Sequence, residues 1–259
     1  MLLTGVGLAP VTSMFLKETH DDDGRPDFRP AVHDSDAFAV WNAQGERVWR
    51  PLINPRQMQH TVFLEDELRG FELTHRERTF AAYEDLEANY HTRPSAWVEP
   101  RGPWGTGAAR LFELPTEEEY FGNIVAFWRP QGGLRAGMLY AYTYRLTWCN
   151  DTPAAGGYRV SKTRLGQRKH SIRFVVDFVQ ERRRRPQTIG AAQLDLPSPI
   201  VRASHGVCGA PHVQRNRYTG GLRVSFEFDP GSSHRSDLRL DLPFANPASE
   251  SWRYRWLRE

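Results

Sequence analysis

The chain has 259 residues, with 39% hydrophobic and 25% charged content, 8 tryptophans, 2 cysteines and a net charge of +3. This length suits one large or two modest domains, and the tryptophan content argues against disorder. Two cysteines exclude a disulfide framework, and the small basic excess is a weak pointer to nucleic acid.

In chain order, the N-terminal run Met1–Pro10 lacks a basic segment and is too short for a signal peptide. No apolar stretch approaches the roughly 20 residues of a membrane span. The run from Val6 to Phe15 is strand-like and apolar, as if taken from the middle of a larger sheet. His20 and Asp21-Asp22-Asp23-Gly24 form a polar loop without the ligand spacing of a calcium or zinc site, so no metal is expected. Short alternating runs follow at Val40-Trp41, Arg47–Arg50, Gln59–Leu64 and Gly70–Arg76. Asn42-Ala43-Gln44-Gly45 is a tight turn, with Gly45 at the position that needs positive φ. Thr79–Tyr90 has mixed three- and four-residue apolar steps and no clear cap, which predicts a helical turn or an irregular excursion. Further strands are expected at Trp97–Pro100, Ala108–Leu114, Ile124–Trp128 and Met138–Trp148.

Pro, Gly and Ala cluster after Asn150, which predicts a linker over 151–162. The tail, 163–259, then carries about seven short strands: Ser171–Phe178, Ala191–Leu196, Ile200–Ser204, His212–Tyr218, Leu222–Phe228, Leu238–Leu242 and Ser251–Leu257. That count fits an immunoglobulin-like sandwich, although the Cys…Trp…Cys hallmark is absent. Arg182-Arg183-Arg184-Arg185 reads as a solvated loop between strands rather than a nucleic-acid site. The fold class expected is therefore all-β, in two domains. No phosphate-binding glycine loop and no Gly-x-Ser-x-Gly elbow is present, and no cofactor is expected.

The chemistry concentrates at His33-Asp34-Ser35-Asp36, an acidic turn beside the Ala37–Trp41 run. Trp49-Arg50-Pro51, Arg93-Pro94 with Trp97, and Trp104 follow it. Carboxylates among indoles and guanidiniums suit a carbohydrate, whose C–H faces stack on rings and whose hydroxyls bond charged groups. Each residue also has a plainer reading. Asp34 is a general base or a turn former accepting backbone N–H bonds. Trp49, Trp97 and Trp104 are stacking platforms or core indoles. Arg50 and Arg93 bind sugar hydroxyls or pair with backbone carbonyls. Tyr83, Asp85, Glu87 and Tyr90 border a cleft or sit on an exposed loop.

Several longer runs resemble the periplasmic glucan biosynthesis proteins G and D. They are Leu8–Phe15, Phe28-Arg29-Pro30 with His33-Asp34-Ser35, Trp49-Arg50-Pro51-Leu52 with Asn54-Pro55, Asp85-Leu86-Glu87, Arg93–Val98, Trp104-Gly105 and Asn123–Trp128. The match is dense over residues 5–130 and thinner beyond. The resemblance implies a galactose-mutarotase-like β-sandwich, of which 1–150 is the second half, followed by the immunoglobulin-like domain. It implies a periplasmic location and a β-1,2-linked glucan as ligand, with another protein of the glucan pathway as partner of the C-terminal domain. It also implies inverting endo-β-1,2-glucanase chemistry, which needs a general base and a general acid. By position the base falls on Asp34 and the acid on residue 122, which here is Gly122. Glycine donates no proton, so the expectation divides among an impaired hydrolase, a silent glucan-binding or scaffold module, and a remnant without a stable cleft. Glu117, Glu118 and Glu119 are the only nearby substitutes for the acid.

Overall fold

The computed structural model describes residues 2–3, 6–18, 27–150, 157–181, 196–243 and 249–258. The acidic loop at 20–24, the arginine run at 182–185, the strand expected at 191–195 and most of the 151–157 stretch lie outside the described residues. The described chain is almost entirely β, with two short 3-10 turns at Phe80–Ala82 and Tyr90–Thr92. The all-β expectation holds, and the irregular excursion expected over 79–90 is this pair of turns and the loop between them.

The chain divides into two compact units, Met1–Gly45 with Pro51–Thr152, and Glu46–Arg50 with Pro153–Glu259. The Glu46–Arg50 segment thus groups with the second unit, although the sequence reading placed it in the first. Of the stretch expected as linker, residues 158–162 are strand, because Tyr158–Gln167 pairs antiparallel along Ile172–Gln180.

In the first unit a four-stranded sheet runs Leu8–Ser13, Ile124–Pro130, Gly107–Glu113, Gln59–Glu65. Alternation builds it: Ala109, Leu111, Ile124, Ala126 and Trp128 turn inward and are buried, while Arg110, Phe112, Phe127 and Arg129 turn out. A second antiparallel array runs Tyr144–Cys149, Ser95–Pro100, Leu68–Thr74, Ala37–Asn42. Its Phe38, Val40, Phe71, Leu73, Ala96 and Val98 join the inward side chains of the first sheet in one core. Two close approaches fix glycines in this frame. A Cβ on Gly107 would stand 2.5 Å from the Trp128 ring, and one on Gly70 would stand 2.3 Å from the Trp97 ring. The expected turn at Asn42–Gly45 forms, with Gly45 at φ 88° and its N–H donating to the Asn42 carbonyl at 3.1 Å.

The second unit is also two-layered. Tyr158–Gln167, Ile172–Gln180 and Gly221–Asp229 form one sheet, with Val207–Cys208 and His212–Asn216 both pairing on Gly221–Asp229. The other layer holds Arg47–Pro51 parallel to Ser251–Leu257, then Arg235–Asp241 and Ile200–Ala203. Trp252 is the keystone: fully buried, it meets Phe174 at 5.6 Å and Phe226 at 5.9 Å, and its Nε1 donates to the Thr163 hydroxyl at 2.9 Å. Trp252→Phe should cost about 2 kcal/mol, mostly from lost ring volume and in part from the lost hydrogen bond to the partly buried Thr163 hydroxyl. A urea titration followed by fluorescence and circular dichroism checks this, and an unchanged midpoint would contradict it.

Candidate functional site

The site is built on the chain junction Ser13–Lys17. After Ser13 the chain leaves the Leu8–Ser13 strand and pairs again, Phe15 with His33 and Lys17 with Val32. The Asp34 N–H donates to the Met14 carbonyl at 2.9 Å, which ties the acidic turn to this junction. From the other side Asn123 clamps the same segment. Its side chain accepts from the Phe15 N–H at 2.8 Å and donates to the Phe15 and Leu114 carbonyls at 2.9 and 3.0 Å. Gly122, immediately before Asn123, is therefore held against Ser13: a Cβ built there would meet only the Ser13 carbonyl, at 3.7 Å. Positions 34 and 122, which are 88 residues apart in sequence, thus flank one segment, Asp34 at the Met14 carbonyl and Gly122 beside the Ser13 carbonyl.

The turn's two carboxylates have different jobs. Asp36 accepts from the Thr74 hydroxyl at 2.7 Å and from the backbone N–H groups of Arg76 and Glu77, so it fastens the turn to the next strand. Asp34 instead projects a half-exposed carboxylate toward Arg93, with Nε 3.3 Å from Oδ1. Partial burial pushes the Asp34 carboxyl above the usual aspartate range, and Arg93, His33 and the Met14 hydrogen bond only partly offset that.

Beneath the turn lies a sealed aromatic bed. His33 stacks on Phe15 at 5.3 Å and meets Tyr83 and His75 edge-on at 5.1 and 5.7 Å. His33 Nε2 lies 3.0 Å from a Glu18 carboxylate oxygen. Burial alone would lower the His33 pKa, but the bond to Glu18 and the charges of Glu18, Asp36 and Asp34 raise it. His75, buried without a carboxylate bond of its own, is pushed down to about 4. Met14, Leu16, Ala31, Val32, Tyr83 and Tyr90 complete the bed as a separate apolar cluster. Tyr83 and Tyr90 are thus packing residues, and Asp85 closes a turn by accepting from the Glu87 and Ala88 N–H groups. Glu87 stays exposed on the loop.

The glutamates near Gly122 are otherwise engaged or point outward. Glu119 is paired with Arg29 at 2.6 Å and accepts from the Tyr90 hydroxyl at 3.2 Å, while Arg29 also holds Asp27 and Asp85. Glu117 and Glu118 are exposed.

The tryptophans named from sequence are core side chains. Trp97 and Trp104 are buried, with Trp104 Nε1 donating to the Thr143 carbonyl at 3.1 Å. Trp49 and Arg50 are buried on the Glu46–Arg50 segment, which belongs to the second unit. None of the three indoles offers an open face, because each fills core volume that a smaller ring would leave vacant. Of the named arginines Arg93 reaches the Asp34 turn, over the Tyr90 ring at 5.8 Å. The sequence reading missed Tyr120 and Phe121. They are exposed, their rings are 4.7 Å apart, and they stand directly before Gly122. Their signal was a Tyr-Phe pair in a charged run beside the expected acid position.

Fold and site together define a two-unit β protein with one half-exposed carboxylate, a partner guanidinium and an open aromatic pair at a strand junction. A family model described as periplasmic glucan biosynthesis protein, MdoG, matches residues 2–256, and the chain belongs to that family. Curated relatives include glucans biosynthesis protein G of Vibrio cholerae serotype O1 strain O395, 42% identical over 263 aligned residues. The proteins of the same name from Shewanella sp. strains W3-18-1 and MR-4 are 43% and 42% identical. Each alignment covers 98% of this chain but 46% of the relative, so the chain spans about half the length of these proteins. Among the described residues no helix is long and apolar enough to cross a membrane.

Proposed function

We propose that this chain contributes to periplasmic glucan biosynthesis by binding the glucan at the Asp34 turn, and that it does so with little or no hydrolysis. The placement of positions 34 and 122 on either side of the Ser13–Met14 segment supports this reading. An inverting glycosidase needs a base and an acid, and on this reading Asp34 is the base position and Gly122 the acid position, left without a carboxyl group. Asp34 fits the base: a carboxyl held above the usual aspartate range by partial burial and facing solvent accepts a proton from water more readily than an ordinary surface aspartate. Arg93 would bond sugar hydroxyls or hold the Asp34 carboxylate in aim. Tyr120 and Phe121 would stack on glucose faces, the role first assigned to Trp49, Trp97 and Trp104. The β-1,2 linkage and the periplasmic setting come with the family and are part of the proposal.

Gly122 and the engagement of Glu119 by Arg29 and Tyr90 favour binding over turnover. Isothermal titration with linear β-1,2-glucan tests the reading. Saturable binding is expected, weakened about tenfold by Arg93→Ala and by Tyr120→Ala, in line with the loss of one hydrogen-bonding or stacking group. Equal affinity for β-1,3-glucan of the same length would remove the linkage assignment. Vigorous reducing-end release by the parent chain would remove the silent-binder assignment.

A further inference from the structure

The two units share the chain's charge unequally. Glu46–Arg50 with Pro153–Glu259 holds 21 Lys and Arg against 10 Asp and Glu, and the rest of the chain holds 13 against 21. The net charge of +3 conceals this division.

Strand register concentrates part of the excess on one face of the second unit. In an antiparallel ladder, directly paired residues share a face. Arg202 pairs with Arg239, and Arg239 with Arg253, so three arginines stand in one row across three adjacent strands. The neighbouring row is Val201, Leu240 and Trp252. Leu240 and Trp252 are fully buried, which turns the arginine row outward. Arg235 and Arg255 stand on the same outer face. Like charges directly opposite one another destabilise a sheet, so the row costs stability.

Carboxylates answer only part of this charge. Arg239 is held by Asp241 and, at 3.1 Å, by Glu46. Arg255 pairs with Asp237 at 2.8 Å. Arg253 comes within 3.9 Å of Glu46, too far for a hydrogen bond, and its Nε is buried without a hydrogen-bond partner. Burial and the charge of Arg239 hold the Arg253 pKa below the ordinary arginine value. Arg202 and Arg235 are exposed and make no hydrogen bond or ion pair among the described residues.

Guanidinium forks match phosphate oxygens, and phosphate would supply the acceptors that Arg202 and Arg253 lack. Neighbouring strands lie about 4.8 Å apart, so the row spans about 10 Å. One free phosphate is too small to meet all three arginines. A protein partner would have to match the row with fixed carboxylates in register. A layer of mobile phospholipid headgroups can bring a phosphate to each. We infer that this face docks on a membrane surface bearing anionic phospholipids, with Arg202, Arg239 and Arg253 bonding headgroup phosphates. The choice of lipid rests on the periplasmic setting proposed above, a compartment bounded by phospholipid membranes, whereas the arginine row does not.

The full chain is sedimented with vesicles of phosphatidylcholine alone and with vesicles of phosphatidylcholine mixed with phosphatidylglycerol. Binding to the mixture alone is expected, with release in 1 M salt, where the screening length falls to about 3 Å. Arg202→Gln combined with Arg253→Gln should weaken it at least tenfold, and Arg202→Gln alone about fivefold. Lys169→Gln combined with Arg217→Gln removes the same charge from exposed turns of the other layer. That pair should weaken binding by no more than about twofold, because its charges lie away from the docked face. Neither pair should lower the melting temperature, since the first relieves a like-charge contact and the second lies in exposed turns. Equal losses from the two pairs would make net charge responsible and overturn the inference, as would binding to neither vesicle. Inorganic phosphate and poly-glutamate are titrated in parallel, with melting temperature as the readout. A rise with either one that the Arg202 and Arg253 substitutions abolish, without vesicle binding, would make that anion the occupant and overturn the lipid assignment. No glucan is present, so failure here leaves binding at the Asp34 turn to its own test.

Discussion

Gly122→Asp is expected to raise release of reducing ends from linear β-1,2-glucan by about 10²–10⁴-fold over the parent chain, the usual contribution of a positioned general acid. The substitution is sterically open. A Cβ at 122 meets a single backbone oxygen at ordinary van der Waals distance, 3.7 Å, and Gly122 is not among the glycines with positive φ. The new carboxylate would be positioned by its neighbour, because Asn123 is fixed by three hydrogen bonds to Phe15 and Leu114. It would also stand on the same segment to which Asp34 is bonded. In the Gly122→Asp background, Asp34→Asn should return the rate to the parent level, since an amide cannot take a proton from water. Product analysis by NMR immediately after cleavage should find the inverted anomer. If Gly122→Asp gains nothing while glucan still binds, the acid assignment at 122 is wrong. If Asp34→Asn leaves the gain intact, the base assignment is wrong.

Most of the strands were legible because burial on one face writes itself as alternation. Ile124–Pro130 reads apolar inward at Ile124, Ala126 and Trp128, and the structure buries those three. Tyr158–Gln167 escaped notice because its Arg, Ser, Lys and Thr side chains are only partly covered on both faces, which leaves little apolar period to read. The tryptophans misled for the opposite reason. An indole's identity says how much surface it prefers to bury, and only the fold says whether a ligand or the core does the burying. Gly70, whose missing side chain leaves room for the Trp97 ring, belongs to that packing, which shows only once the two strands are paired. Nor does the sequence rank Asp34 against Asp36. Their difference lies in Thr74, Arg76 and Glu77, which reach Asp36 only after the chain has crossed to the next strand and back. That Asp34 and Gly122 were named together came from resemblance; the Asn123 clamp on Phe15, an interaction spanning 108 residues, is what brings residue 122 beside the segment to which Asp34 is bonded.

Mild acid should destabilise the first unit, and His75 should account for most of the loss. His75 is fully buried, with Nε2 3.5 Å from the Tyr83 hydroxyl, and its folded pKa lies near 4 because burial disfavours its cation. An unfolded histidine titrates near 6.5. Below that pH the unfolded chain binds a proton that the folded chain refuses. Stability therefore falls as pH drops from about 6.5 toward 4, by on the order of 3 kcal/mol from this residue. His33 works in the opposite sense. Its folded pKa is raised, so its contribution is complete below the unfolded value and fades as pH rises through the folded one. The groups around the pair are Glu18, Asp34, Asp36, Glu77, Arg78 and Tyr83. Protonating His75 adds a second cation beside His33, whereas Glu18 supports only the first. Urea midpoints between pH 4.5 and 8 should accordingly decline on the acid side in the parent and flatten there in His75→Phe. Glu18→Gln should leave the acid limb in place and reduce stability between pH 5 and 6, where His33 holds its proton. An acid limb unchanged by His75→Phe would place the titrating group elsewhere.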